Sequence, residues 1–160
     1  MKHILNVLVQ DRSGVLVRVA GLFSRRGYNI NSLTVGSTEN PGVSCMTIVV
    51  EGDARIIEQV TKQLHMVVEG LKINDVTKEE YVGRELLMLK VLANKEDRVE
   101  IMQLCEIFRI KIVDINKKSF IIEATGTHSK LDAVEQAFRP FGIQKMSRTG
   151  IIAMVRGDKG

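Results

Sequence analysis

With 160 residues, 44% of them apolar and 26% charged, the chain has room for one medium domain or two small ones of about 80 residues. No apolar run approaches the roughly 18 residues of a membrane-spanning helix, and Met1-Lys2-His3-Ile4-Leu5 enters an alternating pattern with no signal-peptide core, so no membrane association and a cytoplasmic location are expected. The charge of +4 comes from 23 basic and 19 acidic residues spread along the chain; with no Trp, two Tyr and five Phe, the basic block and stacking platforms of a nucleic-acid binder are missing.

Ile4 to Val9 is an apolar, β-branched-rich run that reads as a strand, and Gln10-Asp11-Arg12-Ser13-Gly14 is a turn able to start a helix. From Val15 the period changes: Val15, Val19, Leu22 and Phe23 share one helical face, Arg25 and Arg26 complement the C-terminal dipole, and Gly27 ends the helix. Ile30 to Thr38 and Val43 to Glu51 read as strands joined by Glu39-Asn40-Pro41-Gly42. Gly52-Asp53 offers an N-cap to a second helix carrying Ile56, Val60, Leu64 and Val67 or Val68 at helical spacing, with Gly70 near its end and a strand from Leu71 to Val76 after it.

The same order then recurs. Leu86 to Ala93 reads as a strand, and Asn94 with Asp97 resembles a capping box before Val99, Ile101, Leu104, Cys105 and Phe108. Strands Ile110 to Ile115 and Ser119 to Ala124 follow, then a helix from Ser129 burying Leu131, Val134 and Phe138, stopped by Pro140, and a last strand through Ile143 to Val155. The predicted fold is α+β, two tandem ferredoxin-like βαββαβ domains, with residues 1–77 as the first, 78–83 as a linker and 84–160 as the second. The first strand-to-helix loop contains Gly14, while the equivalent loop of the second half, Asn94-Lys95-Glu96-Asp97, has no glycine and two acids, so small anions should prefer the first half.

The start of the first helix, with Gly14, presents free N–H groups suited to a carboxylate or phosphate, though a plain tight turn has the same sequence. Asn29 and Asn31 read as turn residues or as ligand donors and acceptors. No nucleophile with its base, metal cluster or phosphate loop is evident: His3, His65 and His128 have no partners at metal-ligand spacing, and His128 is read as a helix cap. Cys45 and Cys105 read as core residues, and Arg12, Arg18, Arg25 and Arg26 as a solvated face.

The run from Val15 to Val35, VLVRVAGLFSRRGYNINSLTV, resembles the N-terminal ACT domain of acetolactate (acetohydroxyacid) synthase small subunits. Met46-Thr47-Ile48, Glu58 to Leu64, Glu106-Ile107-Phe108-Arg109 and Arg148-Thr149-Gly150-Ile151 are similar to the same family in order and spacing. The resemblance implies a non-catalytic regulatory subunit that activates an acetolactate synthase catalytic subunit and confers feedback inhibition by valine or a related branched-chain amino acid. Thiamine diphosphate, magnesium and FAD are expected in that partner and no cofactor in this chain. It further implies a homodimer joined through ACT domains with the effector at the junction: its carboxylate on the N–H groups of Gly14, Val15 and Leu16, its ammonium and side chain on Asp11 and on Asn29 and Ile30 of the other protomer. Relatives frequently carry Asn where Asp11 stands and Gly where Ile110 stands. A free-standing ACT-type amino-acid sensor of another enzyme shares fold and ligand but not partner. A ferredoxin-like RNA binder is disfavoured because Val43 to Glu51 has no aromatic residue.

Overall fold

The computed structural model describes residues 1–68 and 72–158, the side chain of Val67 apart; Gly70 and Leu71, expected near the second helix end and at the fourth strand's start, lie outside the described residues. The chain forms two compact units: Met1–Val82 with the tail from Gly150, and Gly83–Thr149. Each is an α+β unit with an antiparallel sheet.

In the first unit the elements are β1 (Lys2–Gln10), α1 (Val15–Arg26), β2 (Ile30–Ser37), β3 (Val43–Glu51), α2 (Ala54–Val67) and β4 (Lys72–Asp75), and the sheet order is β2-β3-β1-β4. Sheet parity puts Leu5, Val7 and Val9 of β1 on the same side as Met46, Ile48 and Val50 of β3. All six are buried with Val19, Leu22 and Phe23 of α1 and Ile57, Val60 and Leu64 of α2, so both helices cover one face. Burying each such side chain contributes roughly 1.5–3 kcal/mol before entropy is subtracted. Asp53 caps α2, its carboxylate accepting from the Ile56 N–H at 3.0 Å.

The second unit repeats the plan with β5 (Tyr81–Leu92), α3 (Arg98–Phe108), β6 (Lys111–Ile115), β7 (Ser119–Gly126), α4 (His128–Phe138) and β8 (Ile143–Arg148), in the order β6-β7-β5-β8. Leu87, Leu89 and Val91 pack with Ile101, Cys105, Phe120, Ile122, Leu131, Val134 and Phe138. Asn94 and Asp97 form no capping box: Asp97 is helical and its side chain caps nothing. The turn closes instead through the Asp97 N–H on Asn94 O at 3.0 Å. Arg98 pins it, donating to Ala93, Asn116 and Lys117 carbonyls and lying 4.9 Å over the Phe120 ring.

Two expectations change at the unit boundaries. Residues 78–83, read as a linker, hold the end of a 3₁₀ turn (Val76–Lys78) and the start of β5, because Val76 is fully buried and Tyr81 packs against it. The last strand, expected to run unbroken, is two: β8, and β9 (Ile152–Val155), which pairs with β5. Ile151 and Ala153 are buried with Ile4 and Val76 in the first unit, and Ala153 O accepts from Asn6 Nδ2 at 2.9 Å. Ile4 and Asn6 alternate with the β1 residues that face the helices, so the tail covers the opposite sheet face. At the break, a Cβ on Gly150 would stand 2.3 Å from Thr34 Oγ1.

Candidate functional site

The loop from β1 into α1 is held by backbone bonds. Asp11 N–H donates to Gly42 O and Arg12 N–H to Gln10 O, both at 2.8 Å, so the hairpin turn containing Pro41 and Gly42 buttresses it. Gly14 is the N-cap of α1 with φ +89 and ψ −9, a left-handed conformation that ordinary side chains resist, and a Cβ there would meet nothing within 4 Å. No side chain caps the helix and no acidic residue lies in its first turn. Val15 N–H makes only a long bond, 3.4 Å to Arg12 O. Among the described residues the N–H groups of Gly14, Leu16 and Val17 have no acceptor. These donors, with the positive end of the helix dipole, give α1 an exposed start whose electrostatics suit an anion. Val17 was missed from sequence; counting three positions from a Gly14 cap would have found it. Asp11 stands beside this start, exposed.

Asn29 and Ile30 sit at the other end of α1. Gly27, at φ +70, caps that end, and Tyr28 N–H returns to Phe23 O at 3.1 Å. Asn29 Nδ2 lies 3.5 Å from Asn31 Oδ1, and Ile30, half-buried, opens β2 opposite Val50. The twelve residues of α1 span about 18 Å. The structure therefore gathers Asp11, Gly14, Val15 and Leu16, and leaves Asn29 and Ile30 too distant to share one small ligand within a protomer. Beyond them β2 is an unpaired sheet edge, and its sequence, INSLTVGS, contains no charge. The other edges of the two sheets, β4 (KIND), β6 (KIVDI) and β8 (IQKMSR), each carry at least one charged residue, the usual protection against strand addition.

The equivalent start in the second unit differs: Asp97 precedes α3 and Glu100 lies in its first turn, which disfavours an anion. At the end of α3 the left-handed cap is Arg109, φ +56, in the place Gly27 takes in α1, and Ile110 N–H returns to Cys105 O at 2.9 Å. His128 does not cap α4. Thr127 does, and His128 Nδ1 lies 3.2 Å from Glu85 Oε1 in a cluster with Arg148, which bonds Glu85 at 2.8 Å and Asp132 at 2.7 Å. Burial opposes the Arg148 charge, but the bonds to Asp132 and Glu85 outweigh it and hold the guanidinium above its usual range. His65 is exposed, as are Arg12, Arg18, Arg25 and Arg26. Burial pushes the Cys105 thiol up to about 11 and raises Cys45. Among the described residues no three His, Cys, Asp or Glu side chains converge as a metal site, and no helix is long and apolar enough to cross a membrane.

Residues 5–78 match the family described as AHAS small subunit-like ACT domain, and residues 84–157 the family described as small subunit of acetolactate synthase. The chain is 53% identical to the "Probable acetolactate synthase small subunit" of Archaeoglobus fulgidus over 99% of both chains. It is 44% identical to the acetolactate synthase small subunit of Mycolicibacterium smegmatis, over 99% of this chain and 93% of that one. The crystal structure of the acetolactate synthase small subunit from Thermotoga maritima superposes with a TM-score of 0.89 at 42% identity, covering 99% of each chain.

Proposed function

Because the chain belongs to the acetolactate synthase small-subunit family, we propose that it is the regulatory subunit of that enzyme, activating a catalytic subunit and conferring feedback inhibition by valine or a related branched-chain amino acid. Thiamine diphosphate, magnesium and FAD belong to the catalytic partner, and this chain supplies no reacting group. The observation that carries the effector reading is the uncapped, left-handed Gly14 start of α1, with three N–H donors free and no acid in its first turn. The effector carboxylate takes the N–H groups around Gly14, including those of Leu16 and Val17, while that of Val15 is partly engaged. Asp11 faces the effector ammonium, since a carboxylate beside the effector's own would repel it.

The remaining contacts come from a second protomer. Asn29 and Ile30 lie about 18 Å along α1, and the uncharged edge β2 suits antiparallel pairing with its own copy, which brings the Asn29 end of one chain to the Gly14 start of the other. The effector binds this junction more tightly in the inhibited arrangement than in the activating one, and that difference in affinity is the inhibition.

Mixed dimers test the shared site. Gly14→Asp and Asn29→Ala each damage both junctions of a symmetric dimer. A heterodimer of the two has one junction with both changes and one with neither. After subunit exchange, calorimetry with valine should find only weakened sites in either parent and about a quarter of the wild-type number of full-affinity sites in an equal mixture. A mixture with no full-affinity sites, like its parents, refutes a site built from two protomers.

A further inference from the structure

In the second unit Leu87, Leu89 and Val91 of β5 pack with α3 and α4, so Met88 and Lys90, which alternate with them, stand on the opposite sheet face. Their register partners share that face: Glu123 and Ile121 of β7, Ser147 and Lys145 of β8. In the first unit the tail covers the corresponding face, through Ile151 and Ala153 on Ile4 and Val76. Here Met88 is 42% exposed and Ile121 is half-buried. With Lys90, Lys145 and Met146 they line an open groove of ≈ 550 Å³.

The charges in the groove are of one sign. Lys90 and Lys145 stand directly opposite each other across the β5–β8 ladder, an arrangement in which like charges destabilise the pair. Lys90 is half-buried, and among the described residues neither ammonium makes a hydrogen bond or an ion pair. The acids of this face belong to β7 and β6: Glu123, diagonal to Lys90, has Lys111 directly opposite it, and Asp114 is paired with Ile121. Among the described residues no carboxylate lines the groove. A face needed only for solubility would set an acid against one of the two lysines, as Glu123 is set against Lys111. The unbranched methionines adapt to an apolar partner, and the lysine stems extend the apolar surface beside them.

We propose that this groove docks an acidic segment of the catalytic subunit, whose carboxylates take Lys90 and Lys145 while an apolar side chain beside them seats on Met88 and Ile121. The inference rests on the regulatory-subunit reading above. Each lysine gains a charge-assisted bond, and the incoming carboxylates end the repulsion between the two ammonium groups. The like-charged pair that weakens the free sheet thus favours the complex.

The test measures the concentration of full-length chain that half-activates the catalytic subunit from the same organism, at low and at high salt. Lys90→Glu/Lys145→Glu keeps two like charges opposite each other and inverts only their sign, so its melting temperature should stay near that of the wild type. At low salt it should need at least about tenfold more chain, and the gap should narrow at high salt. Lys145→Glu alone sets an acid opposite Lys90, so this variant should melt higher than the wild type and still bind the catalytic subunit more weakly. Lys90→Arg/Lys145→Arg should stay within about threefold of the wild type. Undiminished affinity in both glutamate variants overturns the docking surface and leaves the regulatory reading intact. So does an equal loss in the arginine variant, which would show that shape rather than charge was disturbed. A wild-type chain that neither binds nor activates the catalytic subunit overturns both readings. Sedimentation of the chain alone covers the other occupant: self-association lost in the double glutamate variant would seat a second copy in the groove and overturn its assignment to the catalytic subunit.

Discussion

Gly14→Asp isolates the electrostatics of the helix start. Two separable effects follow from the structure. First, φ of +89 is a left-handed conformation that costs an L residue about 1–2 kcal/mol, with Asp near the low end because its side chain tolerates that region. Second, the new carboxylate stands where the effector carboxylate is held. At about 4 Å, two such charges repel by about 1 kcal/mol in water and about 4 at an effective dielectric of 20. The loop is exposed, so about 1–3 kcal/mol is the working range, an effector affinity about 5- to 150-fold weaker. Gly14→Ala is the matched control: its Cβ meets nothing within 4 Å, and its strain is the same with and without effector. It should lower stability by about 1 kcal/mol and leave valine affinity within about threefold. The assay is the valine concentration that half-inhibits acetolactate formation by the reconstituted holoenzyme, with activation by each variant measured alongside. Valine sensitivity unchanged in Gly14→Asp would refute the assignment of the carboxylate to this helix start. Equal losses in both variants would show that backbone shape, rather than charge, is what matters.

Other substitutions test the frame around the site. Arg148→Ala leaves Glu85 buried at 7% exposure without its 2.8 Å partner, and should destabilise the second unit by about 3 kcal/mol in urea unfolding. Thr34→Val removes a buried hydroxyl with no hydrogen-bond partner among the described residues, so it should be neutral or stabilise by up to about 1 kcal/mol; a clear loss of stability would mean the hydroxyl has a role. Arg109→Gly relieves a left-handed residue at the end of α3, and the melting temperature should rise with a gain of about 0.5–1 kcal/mol. Cys105, raised by burial to about 11, should be roughly one part in a thousand thiolate at pH 8 and escape a thiol reagent until the chain is unfolded. Because its folded value lies above the ordinary thiol value of 9.0, the stability it contributes is full below that pH and declines as the pH rises from there toward 11.

The fold was legible where one face is buried and the period is clean. Val19, Leu22 and Phe23 placed α1, and Val43 to Glu51 gave β3 to the residue. Local signals failed where distant residues decide. The start of β5 reads as polar linker because the apolar cluster of Ile4, Val76, Ile151 and Ala153 that Tyr81 packs against is assembled from distant parts of the chain. The break after β8 depends on the close approach of Gly150 to Thr34, and the burial of Ile151 and Ala153 on Ile4 and Val76. No pattern within the last strand announces either. At the site, Gly14 was readable because a left-handed N-cap requires glycine there, and Asn29 because it follows the Gly27 cap. The twelve residues of α1, about 18 Å, separate the two within one protomer. The facing of Lys90 and Lys145 was invisible, since the β5–β8 ladder brings together residues far apart in sequence.

The most direct measurement is the acetolactate-forming rate of the catalytic subunit from the same organism, with and without this chain and with and without valine. The chain should raise the rate, and valine should reverse the rise only when the chain is present. No rise with both proteins folded would contradict a regulatory subunit of this enzyme and favour an amino-acid sensor serving another one.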